Sequence, residues 1–456
     1  MKSGDALATL VPEQAKEICR VLGRANKRGW VVGGCVRDLL REKPVADWDI
    51  CTDALPDELT RLFPRTIPTG IEHGTVTVMM GKTPYEVTTL RGEGAYTDGR
   101  RPGSVQFLTD IDADLARRDF TVNAIALDPL TGALADPFDG AGDLAKKVIR
   151  AVGNPVDRFS EDGLRVLRAA RFVSTLEATL DPATERAIAQ TLDTFRKVSP
   201  ERVRDEWVKT MRAKRPSASF EVMRTTGILG VTCPELLEGV GMEQNKWHAF
   251  DVWGHAMGCL DACEGDAFLR IAALLHDVGK PRTRAMSDKT DDYTFYNHES
   301  VGARLCEGLL TRLRVSNDER ARIADLVRHH LICYDDTWTD AAVRRWIRRV
   351  GEGLTVDLWA LARADAYGKG RPVDDELAKI ERLSARVREV FEAGQALTVR
   401  ALAVNGNDLM RELGMKPGRQ LGETLEALLQ AVLDDPSANE RERLLMLARE
   451  LVAARA

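Results

Sequence analysis

Gly33-Gly34-Cys35-Val36-Arg37-Asp38, followed by Asp47-Trp48-Asp49-Ile50, is the stretch on which the reading turns. A Gly-Gly pair between a strand and a helix lets backbone N–H groups approach an anion closely, and a helix N-terminus adds partial positive charge. A triphosphate fits such a corner. On a strand, residues i and i+2 point to one face, so Asp47 and Asp49 are expected side by side. Two adjacent carboxylates repel each other and require a cation. Mg2+ takes one or two carboxylates plus substrate phosphates, and two such ions about 4 Å apart activate a hydroxyl and stabilise a leaving pyrophosphate. The pattern predicts nucleotidyl transfer. Glu86, in Tyr85-Glu86-Val87, is either a third acid or a surface ion-pair partner.

Around this stretch, short Val/Thr/Ile runs bounded by Gly and Pro predict strands at Trp30–Val32, Trp48–Thr52, Thr75–Met80, Tyr85–Leu90 and Thr121–Leu127. After Asp157 the text becomes helical, as in Glu161–Leu176 and Glu201–Arg212. The fold class expected is α+β: a head with a mixed sheet, then an all-α neck, body and tail. The expected boundaries are 1–150, 151–240, 241–370 and 371–456.

Two further motifs follow the head strands. Arg117-Arg118-Asp119-Phe120-Thr121-Val122-Asn123 sets a basic pair beside an acid and an amide. Arginine grips phosphate in a bidentate fork, and a carboxylate or amide bonds ribose hydroxyls. Arg158-Phe159-Ser160-Glu161-Asp162-Gly163-Leu164-Arg165 opens the helical text, and on a continuous helix positions 162 and 165 share a face. These motifs, in this order after Gly33-Gly34 and Asp47-x-Asp49, resemble the bacterial class of tRNA nucleotidyltransferases, the CCA-adding enzymes; bacterial poly(A) polymerases share much of the pattern.

The resemblance covers residues 25–230 and implies a polymerase-β-like nucleotidyltransferase head. It implies catalysis by Asp47, Asp49 and Glu86 with Mg2+. The implied nucleotide-binding set is Gly33, Gly34, Arg37, Arg118, Asp119, Asn123, Glu161, Asp162, Arg165 and Arg168. Arg118 and Asn123 would meet phosphate and sugar, and Asp119 the 2′-hydroxyl. Cytosine and adenine each show an amino donor beside a ring-nitrogen acceptor, so the Asp162 acceptor beside the Arg165 donor matches both. Guanine and uracil would set a carbonyl against the carboxylate. Glu161 would orient Arg165. The expected partners are tRNA, CTP and ATP; poly(A) or A-only addition is the alternative. The Gly- and charge-rich segment from Arg91 to Pro102 reads as a mobile loop, which in this family accompanies the switch to adding A.

A second constellation occupies the body. Six of the seven histidines fall between His248 and His330. Adjacent His276-Asp277 can chelate one edge of a metal while a distant His and Asp complete an imidazole–carboxylate shell suited to Mn2+, Fe2+, Ni2+ or Zn2+. A metal-bound water then attacks a phosphoester. The run Leu274-Leu275-His276-Asp277-Val278-Gly279-Lys280-Pro281 resembles the HD phosphohydrolase superfamily. By that resemblance His255, His276, Asp277 and Asp365 match the four-ligand core, and His298 with His329 or His330 the two-metal variants. His248 and His73 fall outside the pattern. The implied substrates are 2′,3′-cyclic phosphates or 2′-nucleotides; a vestigial structural site is the other reading, as is a head that only regulates this body.

Composition limits the rest. The chain has 456 residues, 44% hydrophobic and 30% charged, which excludes a short binding module and wholesale disorder. A net charge of −5 argues against nucleic-acid binding through bulk charge but allows a local basic groove. The basic run Arg344-Arg345-x-x-Arg348-Arg349 and the last 60 residues are candidate RNA-backbone contacts, and Val404–Leu409 resembles the family segment that opens the tRNA-gripping tail. Eight scattered cysteines with no C-x-x-C pair predict neither a disulfide scaffold nor a zinc ribbon. No apolar run approaches the roughly 18 residues of a membrane span, and the N-terminus lacks a signal-peptide centre. A cytoplasmic monomer or homodimer without membrane contact is expected.

Overall fold

The computed structural model describes residues 3–71, 74–93 and 105–454, which excludes His73 and most of the loop expected between Arg91 and Pro102. The chain forms two compact units, Met1–Pro234 and Glu235–Ala456.

The first unit is built on a seven-stranded mixed sheet. Its strands are β1 (Gly29–Val32), β2 (Asp49–Thr52), β3 (Thr66–Gly70), β4 (Thr75–Met80), β5 (Thr83–Thr89), β6 (Ala126–Leu127) and β7 (Leu134–Ala135), in spatial order β3-β4-β5-β2-β1-β6-β7. All four residues of central β1 are buried, as a strand covered on both faces requires. One face sets Val31, Ile50, Val76, Val78 and Val87 against apolar residues of flanking helices, among them Ile18, Leu22, Val36 and Leu59. The other carries Trp30, Val32 and Cys51 against Leu90, Leu115 and Val152. β2 runs antiparallel to β1 and parallel to β5, and this parallel register pairs Asp49 with Glu86.

Two expectations change here. Thr121–Leu127 is not one strand: Thr121–Asn123 is a 3-10 turn, and only Ala126–Leu127 pairs with β1. Local bonds win, because the Thr121 hydroxyl donates to the buried Asp143 carboxylate and Asn123 N–H to Phe120 C=O. The helix predicted over Glu161–Leu176 is also broken. After α1 (Gly34–Leu40), α2 (Pro155–Glu161) stops at Asp162, whose backbone is extended, and α3 (Leu164–Thr175) starts afresh. A Cβ on Gly163 would lie 2.6 Å from Thr194 O and 2.7 Å from Phe195 Cα, so only glycine admits this approach. α4 (Pro200–Thr210) packs against α3. The neck is not purely helical, since Val148–Ile149 pairs in parallel with Thr179–Leu180.

The second unit is helical apart from the hairpin Ala285–Ser287/Asp292–Thr294, a further exception to the all-α expectation. Its main helices are α5 (Val252–Ala262), α6 (Ala267–Leu275), α7 (His298–Arg312), α8 (Asn317–His329), α9 (Asp340–Val350), α10 (Thr355–Gly368) and α11 (Arg419–Asp434). The last part has its own apolar cluster, with Leu402, Leu409, Leu428, Val432 and Leu444 buried. Three arginines of the basic run expected to contact RNA have partners inside this unit, while Arg345 and Arg349 remain exposed. Arg344 is buried and donates to the C-terminal carbonyls of α11, Nε to Leu433 O at 2.7 Å and Nη2 to Asp434 O at 3.0 Å. Arg345 pairs with Asp434 and Arg348 with Glu426. A guanidinium against the carboxyl end of a helix satisfies orphan carbonyls and opposes the helix dipole. All eight cysteines are free, with only Cys333 exposed.

Candidate active sites

The first unit holds a cleft of about 520 Å³ whose lining draws on three separated motifs: Gly33, Gly34 and Arg37; Arg117, Arg118, Asp119 and Asn123; and Asp162, Arg165 and Arg168. Asp49 stands in the same lining. Seven cationic and three acidic side chains face this space, a balance suited to a polyphosphate.

Gly33 is fixed by geometry. Its φ is +73°, and a Cβ there would lie 2.7 Å from Arg118 Nη1. The guanidinium can therefore lie across the Gly-Gly corner only because no side chain stands there. Arg118 also reaches Asp114 at 3.3 Å, while its buried Nε has no hydrogen-bond partner.

β2 begins at Asp49, so Asp47 precedes the strand instead of sharing its pleat. The two acids are nonetheless close enough to interact. Enclosure by protein, then the Glu86 carboxylate, raise the Asp49 pKa; Arg118 lowers it and Asp47 raises it further. None of the three carboxylates has an ion-pair or hydrogen-bond partner among the described residues. Unpaired acids that repel one another fit a divalent cation.

Asp119 has a different task. Its Oδ2 accepts from Arg168 Nε at 2.8 Å and lies 2.6 Å from Arg168 Nη2, and its Oδ1 accepts from Asn123 Nδ2 at 3.1 Å. Burial alone would raise its pKa, but Arg168 and Asn123 hold it at about 2. Asn123 Oδ1 in turn accepts from Arg37 Nη1 at 2.8 Å.

At the break between α2 and α3, Arg165 Nη1 donates to Glu161 Oε2 at 2.5 Å and to Arg158 O at 2.9 Å, and Nη2 donates to Arg117 O at 3.3 Å. Asp162 reaches the same cleft from the end of α2. The pair thus meets across a break, not along one helical face. Sequence reasoning missed Arg171, Phe172 and Lys209 in this lining, and Arg202 behind it. Arg37, Arg168 and Arg171 surround the Phe172 ring, with guanidinium carbons 5.6, 5.4 and 4.2 Å from its centroid. Arg171 had a signal, lying one turn beyond Arg168 on the same helix.

In the second unit, α5 supplies His255, the end of α6 leads into His276 and Asp277, α7 starts with His298, His330 follows α8, and α10 supplies Asp365. His255 Nε2 lies 3.1 Å from His276 Nε2, 3.2 Å from Asp277 Oδ2 and 3.0 Å from Asp365 Oδ1. His276 Nε2 is 3.2 Å from Asp277 Oδ2 and 3.5 Å from Asp365 Oδ1. Donors roughly 2.1 Å from one ion stand about 3.0–3.4 Å apart at octahedral to tetrahedral angles, so the set fits a metal. On the other side of the carboxylate, Asp277 Oδ1 lies 3.3 Å from His298 Nε2 and 3.6 Å from His330 Nε2. Lys280 Nζ pairs with Asp277 Oδ2 at 2.5 Å.

Second contacts aim the rings. The Nδ1 atoms of His276, His298 and His330 lie 2.8, 2.6 and 2.7 Å from the carbonyls of Ala273, Phe295 and Val327, turning each Nε2 toward the centre. Burial disfavours charge on His276, but Asp277 and Cys259 raise its pKa to about 10. His329 does not join: it is half-buried, and Asp325, Arg328 and Arg349 are its charged neighbours. His248, which the sequence pattern left out, does join. Its ring stands edge-on to His255 with centroids 4.8 Å apart, and it faces Lys280 at 3.4 Å. A cavity of about 460 Å³ opens over the cluster, walled by Lys280, Lys369, Tyr293, Phe295 and Tyr296.

Comparison with known proteins bears on both units. A poly A polymerase head domain matches residues 29–150, the Probable RNA and SrmB-binding site of polymerase A matches 179–239, and tRNA nucleotidyltransferase domain 2 matches 300–448. These matches and the cleft define a nucleotidyltransferase with a polymerase-β-like head. A CCA-adding enzyme of Limosilactobacillus fermentum is 32% identical over 97% of this chain and 98% of its own length. The chain belongs to the family of bacterial CCA-adding enzymes. It is also similar to an A-adding tRNA nucleotidyltransferase of Deinococcus radiodurans, 36% identical over 88% of this chain and 90% of that one. Identity rises to 46% with a CCA-adding enzyme of Lactobacillus delbrueckii, but that match spans half of this chain and 57% of the relative. The crystal structure of the Bacillus stearothermophilus CCA-adding enzyme in complex with CTP, 28% identical, matches over 97% of this chain and 98% of its own with a TM-score of 0.71.

Proposed function

We propose that the first unit adds C, C and A to the 3′ end of tRNA from CTP and ATP without a nucleic-acid template. The observation that carries this is the single cleft in which Gly33, Arg118 and Asp49 meet Asp162 and Arg165. Phosphate-gripping, metal-holding and base-reading groups there surround one space large enough for one nucleotide. Two Mg2+ ions held by Asp47 and Asp49, with Glu86 beside them, would lower the pKa of the primer hydroxyl and neutralise the departing pyrophosphate. The primer oxygen bonds the α-phosphorus, its proton leaves, and the bond to the β-phosphate breaks. Arg118 would offer a cationic group to the triphosphate, and Arg168, whose Nε and Nη2 are held by Asp119, would add its remaining charge beside it. Asn123, fixed by Arg37 and Asp119, would meet the sugar with its amide.

Addition of A alone, or of poly(A), is the competing reading, supported by the Deinococcus relative. Purified protein with tRNA lacking its 3′ end, given each NTP singly and in pairs, decides between them by product length. Extension by two residues with CTP and completion with ATP supports the proposal. Extension only of tRNA already ending in CC selects the A-adding reading. A cytoplasmic location accords with tRNA as substrate; among the described residues no helix is long and apolar enough to cross a membrane.

For the second unit we propose a metal-dependent phosphohydrolase. His255, His276, Asp277 and Asp365 would hold a transition metal such as Ni2+, Mn2+ or Fe2+, and His298 and His330 a second. A metal-bound water would supply the nucleophile for phosphoester cleavage. Lys280, paired with Asp277, and Lys369, paired with Asp365 and Glu376, stand in the cavity wall where they would face a phosphate, and the 2′,3′-cyclic phosphates and 2′-nucleotides are the substrates to assay. Metal analysis of the purified protein and hydrolysis with each ion test it.

A further inference from the structure

Asp162 is not free in the cleft. Its Oδ1 accepts the Leu164 backbone N–H at 3.0 Å and Arg202 Nη1 at 3.1 Å, and its Oδ2 accepts Arg202 Nη2 at 2.7 Å. Arg202 lies in the first turn of α4 and does not line the cleft. A carboxylate offers about four lone-pair positions, so these three bonds leave one, on Oδ2. Arg165 shows the complement. Of its five N–H groups, Nη1 uses both of its own and Nη2 one, leaving one on Nη2 and the Nε–H. One acceptor beside a donor is the valence that the Watson–Crick edges of cytosine and adenine satisfy.

We propose that Arg202 is a positioning residue for nucleotide selection: its planar fork fixes the Asp162 carboxylate so that a single acceptor faces the incoming base. This rests on the reading of Asp162 and Arg165 as base-reading groups. Without the fork the carboxylate turns about its last torsion. A turned carboxylate no longer sets its free acceptor where the amino group of cytosine or adenine stands, so the advantage of these bases over uracil and guanine falls. Lysine keeps the charge but presents a point donor, not a fork.

The test compares Arg202→Lys, Arg202→Gln and Asp162→Ala with the unaltered protein, measuring kcat and KM for CTP, UTP, ATP and GTP on tRNA lacking its 3′ end. Both Arg202 variants are expected to lower the CTP:UTP ratio of kcat/KM at least tenfold, Gln more than Lys. A merely structural role would lower all four nucleotides together and leave the ratio untouched. An unchanged ratio in both Arg202 variants, alongside a lowered ratio in Asp162→Ala, overturns the assignment of Arg202 alone. An unchanged ratio in Asp162→Ala overturns base reading by Asp162 itself. Thermal melts establish folding, and the Lys variant carries the test if the Gln variant does not fold.

Discussion

Arg168 closes on Asp119 with two nitrogens, at 2.6 and 2.8 Å, and so joins the helix α3 to the motif that follows the head strands. The pair is largely buried, with side-chain exposures of 30% for Arg168 and 10% for Asp119.

The Asp119 pKa of about 2, against an ordinary 3.8, makes this contact a source of pH-dependent stability. For an acid with a depressed pKa the contribution is whole above 3.8 and is lost as pH falls through about 2. It amounts to about 2 kcal/mol. The stability gap between the unaltered protein and Asp119→Asn, measured by urea unfolding, is expected to narrow by most of that amount, about 1.5 kcal/mol, between pH 5 and pH 2.5. A gap that stays constant across this range would refute it.

Gly33→Ala places a methyl group on a backbone with φ +73° and against Arg118 Nη1. The substitution is expected to raise KM for CTP and ATP together by roughly tenfold or more, since about 1.4 kcal/mol of lost phosphate contact is tenfold. Steady-state kinetics with both nucleotides check this; a change confined to one nucleotide would point to the base, not the phosphates.

The two sites are expected to fail independently. Asp47→Ala or Asp49→Ala abolishes nucleotide transfer and spares hydrolysis; the pair His276→Ala and Asp277→Ala removes bound transition metal and spares transfer. Elemental analysis beside both assays reads the result. Loss of both activities from either change would show one coupled site.

Arg344→Ala is expected to act on stability, not on RNA. Removal of its guanidinium leaves the carbonyls of Leu433 and Asp434 without their donor at a cost of about 1–3 kcal/mol. A lowered melting temperature with unaltered KM for tRNA is the expected result; the reverse would restore this arginine to the RNA-binding stripe.

Much of both sites was legible because their chemistry is local in the chain. The glycine pair, the Asp-x-Asp and His276-Asp277 each put reactive groups within a few residues of one another. What remained hidden depended on partners distant in sequence or on backbone direction. Arg202 reaches Asp162 across 40 positions, and only folding brings α4 behind that acid. The break after Glu161 was concealed because the surrounding residues favour helix, while the close approach of Thr194 and Phe195 to Gly163 is a tertiary fact. His329 and His330 are indistinguishable by type; successive residues point in different directions at a helix end, and it is His330 that faces inward. His248 lay outside the motif spacing because a loop, not a helix, carries it to His255. The arginine run of α9 looked like a free basic stripe because its carboxylate and carbonyl partners lie far along the chain.

The interruption at Asp162–Gly163 gives the pair proposed to select the base an unusual mechanical character. Its two halves ride on separate rods, and the gap between them is kept by Glu161 gripping Arg165 and Arg202 gripping Asp162. Helical pitch would have frozen that gap at one width. Across the break a slight swivel of one rod against the other would retune it, so on the proposed reading exchanges remote from the nucleotide would alter which base is accepted while both side chains stay as they are.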